Sequence, residues 1–252
     1  MIHSVTLAIA IRECRSLFMS PLAWTVLAVV QFILAWIFFA QIDNFFALQP
    51  QLQSLKSAPG VTDLVAAPLF NITSIVLLMV TPLMTMRLIS EERRSGTIQL
   101  LMSSPVSMTQ IVLGKYLGMM IFFSLFILQI SLMPLSLYIG TELDTGKLLA
   151  GFLSIFLLIA AFVAVGLYLS SLTDNPTVAA VASFGLLLLL WIINTSAAES
   201  TDNLFNYLSL TQHSNAIIRG VIHSTDIIYF LLFITTFLGL SIRQLDSYRL
   251  QH

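Results

Sequence analysis

The sequence predicts an all-α integral membrane protein with six transmembrane helices in one domain, residues 1–252. Of its 252 residues, 58% are hydrophobic and only 9% are charged, and the mean hydropathy is +0.94. Soluble domains carry about 25% charged residues, so this chain could not cover a soluble core. Runs long enough to cross a hydrocarbon layer of about 30 Å lie at about residues 21–41, 67–89, 111–139, 148–171, 177–195 and 226–243. None alternates with period two, which argues against an outer-membrane barrel.

Residues 4–18 are predicted to form a helix that lies along the membrane interface before the first span. Leu7, Ile11, Cys14 and Phe18 share one helical face, whereas Arg12 lies away from it. The charges follow the first apolar stretch, which reverses the order found in a signal peptide. We therefore expect this segment to be retained, and the alternative is an unordered cytoplasmic tail.

The distribution of Lys and Arg predicts which side of the membrane each loop occupies. Six spans place both termini on one side, together with Arg12, Arg15, Arg87, Arg93, Arg94, Lys115, Arg243 and Arg249. The opposite side holds only Lys56, Lys147 and Arg219. Cytoplasmic loops are enriched in Lys and Arg. We therefore expect a multi-pass protein of the bacterial cytoplasmic (inner) membrane with both termini in the cytoplasm.

The loop between the second and third runs concentrates charge. Five charged residues occupy the eight positions from Arg87 to Arg94, and a charge at the bilayer centre costs roughly 3 kcal/mol. The second-span helix is therefore expected to continue past the membrane to Arg94 and to end at Gly96. A short cytoplasmic helix is predicted near 97–103, and a capping box of Ser107 and Gln110 is expected to begin the third span.

This loop carries a family resemblance. Its sequence resembles the signature of ABC-2-type transporter permeases, most closely the gliding-motility-type branch. The similar segments are Met86–Leu101, Ser104–Val106, Val112–Lys115, Gly166–Asn175, Leu208–Leu210, Gly220–Ile222 and Tyr229. Gln99 departs from the family, which often has Glu there. The resemblance, which extends from Arg12 to Arg249, implies an ABC-2 exporter-type membrane domain in a dimer of six-spanning permeases. It also implies separately encoded cytoplasmic ATP-binding subunits.

The resemblance assigns this loop to the coupling of the permease with its ATPase. The residues assigned to coupling are Arg87, Glu91, Glu92, Arg93, Arg94, Ser95, Gly96, Thr97, Ile98, Leu101 and Met102. Ile98, Leu101 and Met102 would form the apolar side of the short helix. Without the resemblance, the same charges could be a solvated belt that only fixes topology. Thr173, Asp174 and Asn175 are a candidate second cytoplasmic contact, or a simple turn.

Glycine spacing and motif searches limit the other roles. Gly114 and Gly118 form a G-x-x-x-G that predicts close helix packing. Neither Gly-Lys pair, at Gly114 or at Gly146, fits the phosphate-binding loop G-x-x-x-x-G-K-[S/T]. We therefore expect no catalytic residue and no cofactor in this chain, with ATP and Mg²⁺ bound by the partner ATPase. His213 and His223 lack further ligands at suitable spacing, so no metal site is expected.

Two functions remain open for a permease of this kind. Polar residues in the spans are few, which favours export or membrane extraction of an apolar or lipid-linked substrate. The alternative is a non-transporting membrane subunit that transmits force or a signal from the ATPase to a periplasmic partner. Further expected partners are a second permease copy, a periplasmic or membrane accessory protein, and membrane lipid. The net charge of -1 gives no reason to expect nucleic acid.

Overall fold

The computed structural model describes residues 2–52, 59–97, 106–141, 143–197 and 209–251, and within these ranges it is built of helices without strands. The helices are α1 (Ile2–Met19), α2 (Pro21–Leu52), α3 (Ala67–Thr85), α4 (Ser90–Arg94), α5 (Met108–Ser136), α6 (Thr145–Leu172), α7 (Pro176–Ala197), α8 (Leu210–Ile218) and α9 (Ser224–Gln251). A π-helical turn, Thr62–Ala66, leads into α3, and a 3₁₀ turn, Leu137–Ile139, follows α5. The predicted all-α fold is confirmed.

Five helical segments are long and apolar enough to cross a membrane. They are Pro21–Gln51, Thr62–Arg94, Met108–Ile139, Thr145–Leu172 and Ser224–Arg249, and the second of them includes a turn at residues 86–89. A shorter apolar segment, Pro176–Ile192, occupies the position of the fifth predicted span. Helix α2, the first of these segments, extends well beyond the predicted span 21–41. Its helical hydrogen bonding continues through the polar residues Gln41 and Asp43 after the apolar run ends.

Helix α6 is the centre of the bundle. In its most apolar stretch 78% of the residues are buried, whereas the corresponding share is 28% in α2 and in α9. Helix α6 contacts α3, α5, α7, α8 and α9. Two glycines let α3 approach closely: a Cβ at Gly151 would lie 2.3 Å from the Phe70 ring, and one at Gly166 would lie 2.0 Å from Thr85 Oγ1. Small residues at such crossings allow helices to pack without a hydrophobic driving force between them.

The second membrane helix is interrupted before its charged end. Residues 86–89 form a turn between α3 and α4, so the prediction of one continuous helix to Arg94 is wrong here. Buried Ser170 of α6 satisfies the backbone groups at this turn. Its hydroxyl accepts from the N–H groups of Ile89 and Ser90, both at 3.1 Å, and donates to the Met86 carbonyl at 3.0 Å. Backbone groups freed by a helix break need such partners when they are buried.

The helix boundaries around the loop follow the predicted capping chemistry. Gly96 has φ +73°, the left-handed conformation that glycine adopts most easily after a helix end. Ser107 Oγ accepts from Gln110 N at 3.3 Å, and Gln110 Oε1 accepts from Ser107 N at 3.0 Å. The predicted capping box is therefore confirmed.

Helix α8 lies at the opposite end of α6 from α4. Its Leu210 and Ile217 are buried, and Ser154 Oγ of α6 lies 2.8 Å from Ser214 Oγ. His213 Nδ1 lies 2.6 Å from Asp226 Oδ1 at the start of α9. The short helix is thus fastened to two long helices at once.

Candidate functional site

The charged loop forms a short helix with two faces at one end of the bundle. Glu92 and Arg93 of α4 point toward neighbouring helices and are half-buried, whereas Glu91 and Arg94 are exposed. Arg87, in the preceding turn, is also exposed. The predicted coupling charges therefore divide into an inner pair and an outer trio.

Glu92 takes part in a charge cluster around a buried lysine. Lys115 of α5 has a side chain that is only 2% exposed, and its Nζ donates to Glu92 Oε1 at 2.8 Å and to Glu13 Oε1 at 2.9 Å. Arg12 Nη2 lies 3.4 Å from Glu92 Oε1. A buried ammonium is tolerated only when it is paired and hydrogen-bonded. The Lys115 cluster (Arg12, Glu13, Glu92 and Lys115) consequently joins α1, α4 and α5.

Arg93 fastens α4 to the other side of the bundle. Its Nε lies 2.6 Å from Asp174 Oδ1, and its Nη1 donates to the Ser171 carbonyl at 2.5 Å. Its guanidinium also lies 4.4 Å from the ring centroid of Tyr248 in α9, a cation–π arrangement. One side chain thereby links α4 with the end of α6, the turn after α6, and α9.

The outer trio, Arg87, Glu91 and Arg94, is available to another molecule. Within the described ranges these three side chains make no hydrogen bond or ion pair. Arg87 and Glu91 line a cavity of about 210 Å³ that reaches α1 and the start of α2. The trio therefore presents two positive charges and one negative charge that no other described side chain neutralises.

The remaining predicted coupling residues continue the same surface. Ser95, Gly96 and Thr97 are exposed, and Ser95 Oγ lies 2.9 Å from Thr97 Oγ1. Ile98, Leu101 and Met102, and with them most of the predicted helix at 97–103, lie outside the described residues.

The candidate second contact adjoins α4 directly. Asp174 is the ion-pair partner of Arg93, so the two predicted contacts meet. Asn175 Oδ1 accepts from Thr177 N at 3.0 Å and caps α7, while Thr173 Oγ1 accepts from Asn175 N at 3.2 Å. Thr173 and Asn175 thus shape the turn, and Asp174 carries its link to α4.

Gly114 and Gly118 bring α1 against α5. A Cβ at Gly114 would lie 2.7 Å from Ile9 Cβ, and one at Gly118 would lie 2.8 Å from the Ala10 carbonyl oxygen. This close approach places Glu13 next to Lys115. Sequence reasoning did not single out either residue for the site. The available indication was Lys115 itself, a cation near the start of a strongly apolar run.

Metal binding finds no support in the part of the chain that the structure describes, where no group of three His, Cys, Asp or Glu side chains could hold an ion. His213 instead contacts Asp226 and stacks on the Tyr229 ring, with centroids 4.4 Å apart. Its environment is that of a packing and hydrogen-bonding residue.

Comparison with known families gives the identity of this architecture. A family model described as ABC-2 family transporter protein matches residues 7–248, nearly the whole chain. None of the curated proteins matches. This family consists of membrane subunits that work with an ABC ATPase and usually as permease dimers. The chain therefore belongs to the ABC-2 family of transporter proteins and is a multi-pass permease subunit of an ABC transporter.

Proposed function

We propose that this permease couples ATP hydrolysis by a separate cytoplasmic ABC ATPase to export, or extraction from the membrane, of an apolar or lipid-linked substrate. The observation that carries the proposal is the two-faced helix α4. The side chains of its outer trio have no partner among the described residues, while its inner pair contacts four other helices. A segment that is free on one side and fastened on the other suits the transmission of force.

The inner contacts indicate where a force on α4 would go. Glu92 leads to α1 and α5 through Lys115, and Arg93 leads to the end of α6 and to α9. Both connections are charge-assisted and short, and such hydrogen bonds are stronger and more directional than neutral ones. Movement of α4 would accordingly reorient several membrane helices together.

We also propose that the permease acts as a dimer in the bacterial inner membrane with both termini in the cytoplasm. Helix α2 exposes a large apolar surface that lipid or a second permease copy would cover. Its exposed side chains include Trp24, Val29, Phe32, Ile33, Trp36, Phe39 and Phe46. Helix α1 exposes Leu7 and Ile11, which suits a position at the lipid interface. We also propose the gliding-motility-type branch, on the resemblance of the loop sequence.

The interior favours a substrate that needs few polar contacts. Hydroxyls within the long helices are mostly hydrogen-bonded to their own helices: Thr85 to Thr81, and Ser124 to Met120, both at 2.8 Å. In the described helices, hydroxyls paired in this way have little remaining capacity to bind a polar solute. The same thin polarity suits the second candidate function, a subunit that moves no solute and transmits force to a periplasmic or accessory partner.

The outer trio gives a direct test of coupling. Tagged permease carrying Glu91→Lys and Arg94→Glu is expected to copurify with less ATPase, and the complex is expected to lose ATPase activity. Close interfacial charge pairs can couple by about 1.5–7 kcal/mol, so a loss of tenfold or more is expected. Asp43→Lys, which reverses an exposed charge at the end of α2 predicted to be extracytoplasmic, serves as the matched control.

These measurements distinguish the exporter from the force-transmitting subunit, and they can also contradict the proposed coupling. Unchanged copurification and activity in the Glu91→Lys, Arg94→Glu variant would mean that the trio only fixes topology. If coupling is present, reconstituted complex should extract a fluorescent lipid from vesicles in an ATP-dependent manner. ATP hydrolysis without extraction of any apolar or lipid-linked probe would favour the force-transmitting subunit.

A further inference from the structure

A second cavity lies at the other end of the bundle, among α3, α7 and α8. Its volume is about 510 Å³, within the range of about 300–1,000 Å³ that is typical of small-molecule sites. Its polar lining consists of Asp63, Asn71, Ser74, Thr211, Asn215 and Arg219. Because α8 is at the opposite end of α6 from α4, this cavity faces the side predicted to be extracytoplasmic.

Among the described residues, the two charged side chains that line the cavity differ in their pairing. Asp63 is neutralised by Lys147, whose Nζ donates to the two carboxylate oxygens at 2.7 and 2.9 Å. Arg219 is exposed, and its side chain makes no hydrogen bond or ion pair within the described residues. The charged side chains that line the cavity are therefore Asp63, which is paired with Lys147, and Arg219, whose planar guanidinium is unpaired within the described ranges.

Two amides complete the polar side. Asn71 and Asn215 line the cavity, and neither side chain makes a hydrogen bond within the described ranges. Each amide offers two N–H donors, and the guanidinium offers a fork that fits two oxygens of a phosphate or carboxylate. The set is rich in donors and suits an oxyanion.

The other wall of the cavity is apolar and open. Ile75 and Trp191 line it and are 47% and 37% exposed. Both belong to membrane helices, so their exposed surfaces are available to lipid chains. An occupant that combines an anionic group with an apolar chain would satisfy both walls.

The end of α8 is held firmly enough to position Arg219. Gly220 follows it with φ +86°, and a Cβ there would lie 3.0 Å from Lys147 Cγ. Glycine thus lets the backbone pack directly on the lysine that neutralises Asp63. The Asp63–Lys147 ion pair therefore lies beside the backbone that follows Arg219.

We propose that this cavity binds the anionic headgroup of an amphiphile, a phosphate ester carrying apolar chains, on the extracytoplasmic side. The inference rests on the proposed function in one respect: it supplies the class of the lipid-linked substrate. Binding itself requires only the permease.

The test uses Trp191 as a reporter. The chain has three tryptophans, and Trp24→Phe with Trp36→Phe leaves only the one that lines the cavity. The purified permease is reconstituted without ATPase in phosphatidylcholine vesicles, with brominated phosphatidylglycerol added in increasing mole fraction. Brominated phosphatidylcholine is the neutral comparison. We expect half-maximal quenching at an about tenfold lower fraction of the anionic lipid, as one or two charge-assisted hydrogen bonds would give.

Variants of Arg219 identify the group responsible. Arg219→Gln should abolish the preference for the anionic lipid, and Arg219→Lys should keep part of it because the charge remains without the fork. Arg249→Gln removes the same charge from α9 and should leave the quenching unchanged. Gel filtration of each variant verifies that it is folded.

Several results would overturn the proposal. Equal quenching by both lipids, or a preference that survives Arg219→Gln, would remove the anionic site. Relief of quenching by millimolar glycerol 3-phosphate would show a site for free phosphate esters instead of an amphiphile. Quenching by neither lipid would mean that another surface, such as a second copy, covers the cavity. Since no ATPase is present, failure of the coupling proposal would not alter any of these outcomes.

Discussion

Reversing the charge of Glu92 should destabilise the permease, whereas reversing the charge of its neighbour Glu91 should not. Glu92 lies 2.8 Å from the Nζ of Lys115, whose side chain is 2% exposed. In Glu92→Lys, a second ammonium would face that buried lysine and Arg12 would lose its carboxylate partner. Glu91 is exposed and has no partner in the described part of the chain, so Glu91→Lys changes the same charge without breaking a contact.

The expected difference is large because the lysine cannot reach water. Removing one partner of a buried ion pair costs about 3–5 kcal/mol. Glu13 remains 2.9 Å from Lys115, which places the expected cost of Glu92→Lys at the lower end, about 3 kcal/mol. A surface substitution such as Glu91→Lys usually changes stability by no more than about 0.5 kcal/mol.

Heating of the detergent-solubilised permease, followed by fluorescence-detected gel filtration, measures this difference. One kcal/mol corresponds to about 2–4 °C for a domain of 150–250 residues, so Glu92→Lys should lower the apparent Tm by roughly 6–12 °C. Glu91→Lys should lower it by less than about 2 °C and yet reduce ATPase copurification. Equal shifts in the two variants, or no shift in Glu92→Lys, would refute the argument from the Lys115 cluster.

Four further expectations concern packing, topology, reactivity and nucleotide binding. Gly118→Ala should cost about 1–3 kcal/mol of stability, as overpacking does, because the new Cβ would lie 2.8 Å from the Ala10 carbonyl; retained wild-type stability would contradict this close contact. A cysteine at Thr141 should react with an external membrane-impermeant maleimide and one at Arg94 should not, and the reverse would overturn the topology. Burial raises the pKa of the Cys14 thiol, so its thiolate fraction at pH 7 should be below that of an exposed cysteine. The rate of Cys14 alkylation should therefore still rise with pH above pH 9, and a plateau near pH 8 would contradict this. The isolated permease should not bind radiolabelled ATP, since no phosphate-binding loop occurs in the sequence, and micromolar binding would contradict this expectation.

The fold was largely predictable because membrane insertion imposes a simple length rule. Apolar runs of about 20 residues marked the long helices, and the Ser107 capping box marked the start of α5. The length rule predicts only the part of a helix that lies within lipid. Helices can continue beyond that part, as α2 does to Leu52. The break at residues 86–89 was hidden for a different reason. It depends on Ser170, about 80 positions away, which satisfies the opened backbone.

The direction of each loop charge could not be predicted from the sequence. Glu91 and Glu92 are adjacent and chemically alike, yet only Glu92 meets Lys115. Arg93 and Arg94 differ in the same way, because Asp174 lies beside Arg93 alone. Helical geometry turns successive residues by about 100°, but which face is inward depends on α1, α5 and α6. Those helices come from distant parts of the chain, so the local sequence of the loop cannot predict which face they cover.

The hydroxyl of Ser170 holds the turn at residues 86–89, between α3 and α4, in one conformation. It serves three backbone groups of the turn at once, accepting two hydrogen bonds and donating one. A change in the angle between α3 and α4 would have to break these three hydrogen bonds together, at a hydroxyl that is fully buried. We therefore expect a displacement applied at α4 to cause little bending between α4 and α3. If an ATPase moves α4, we expect the displacement to reach α6, the most deeply enclosed helix of the bundle, through these three hydrogen bonds.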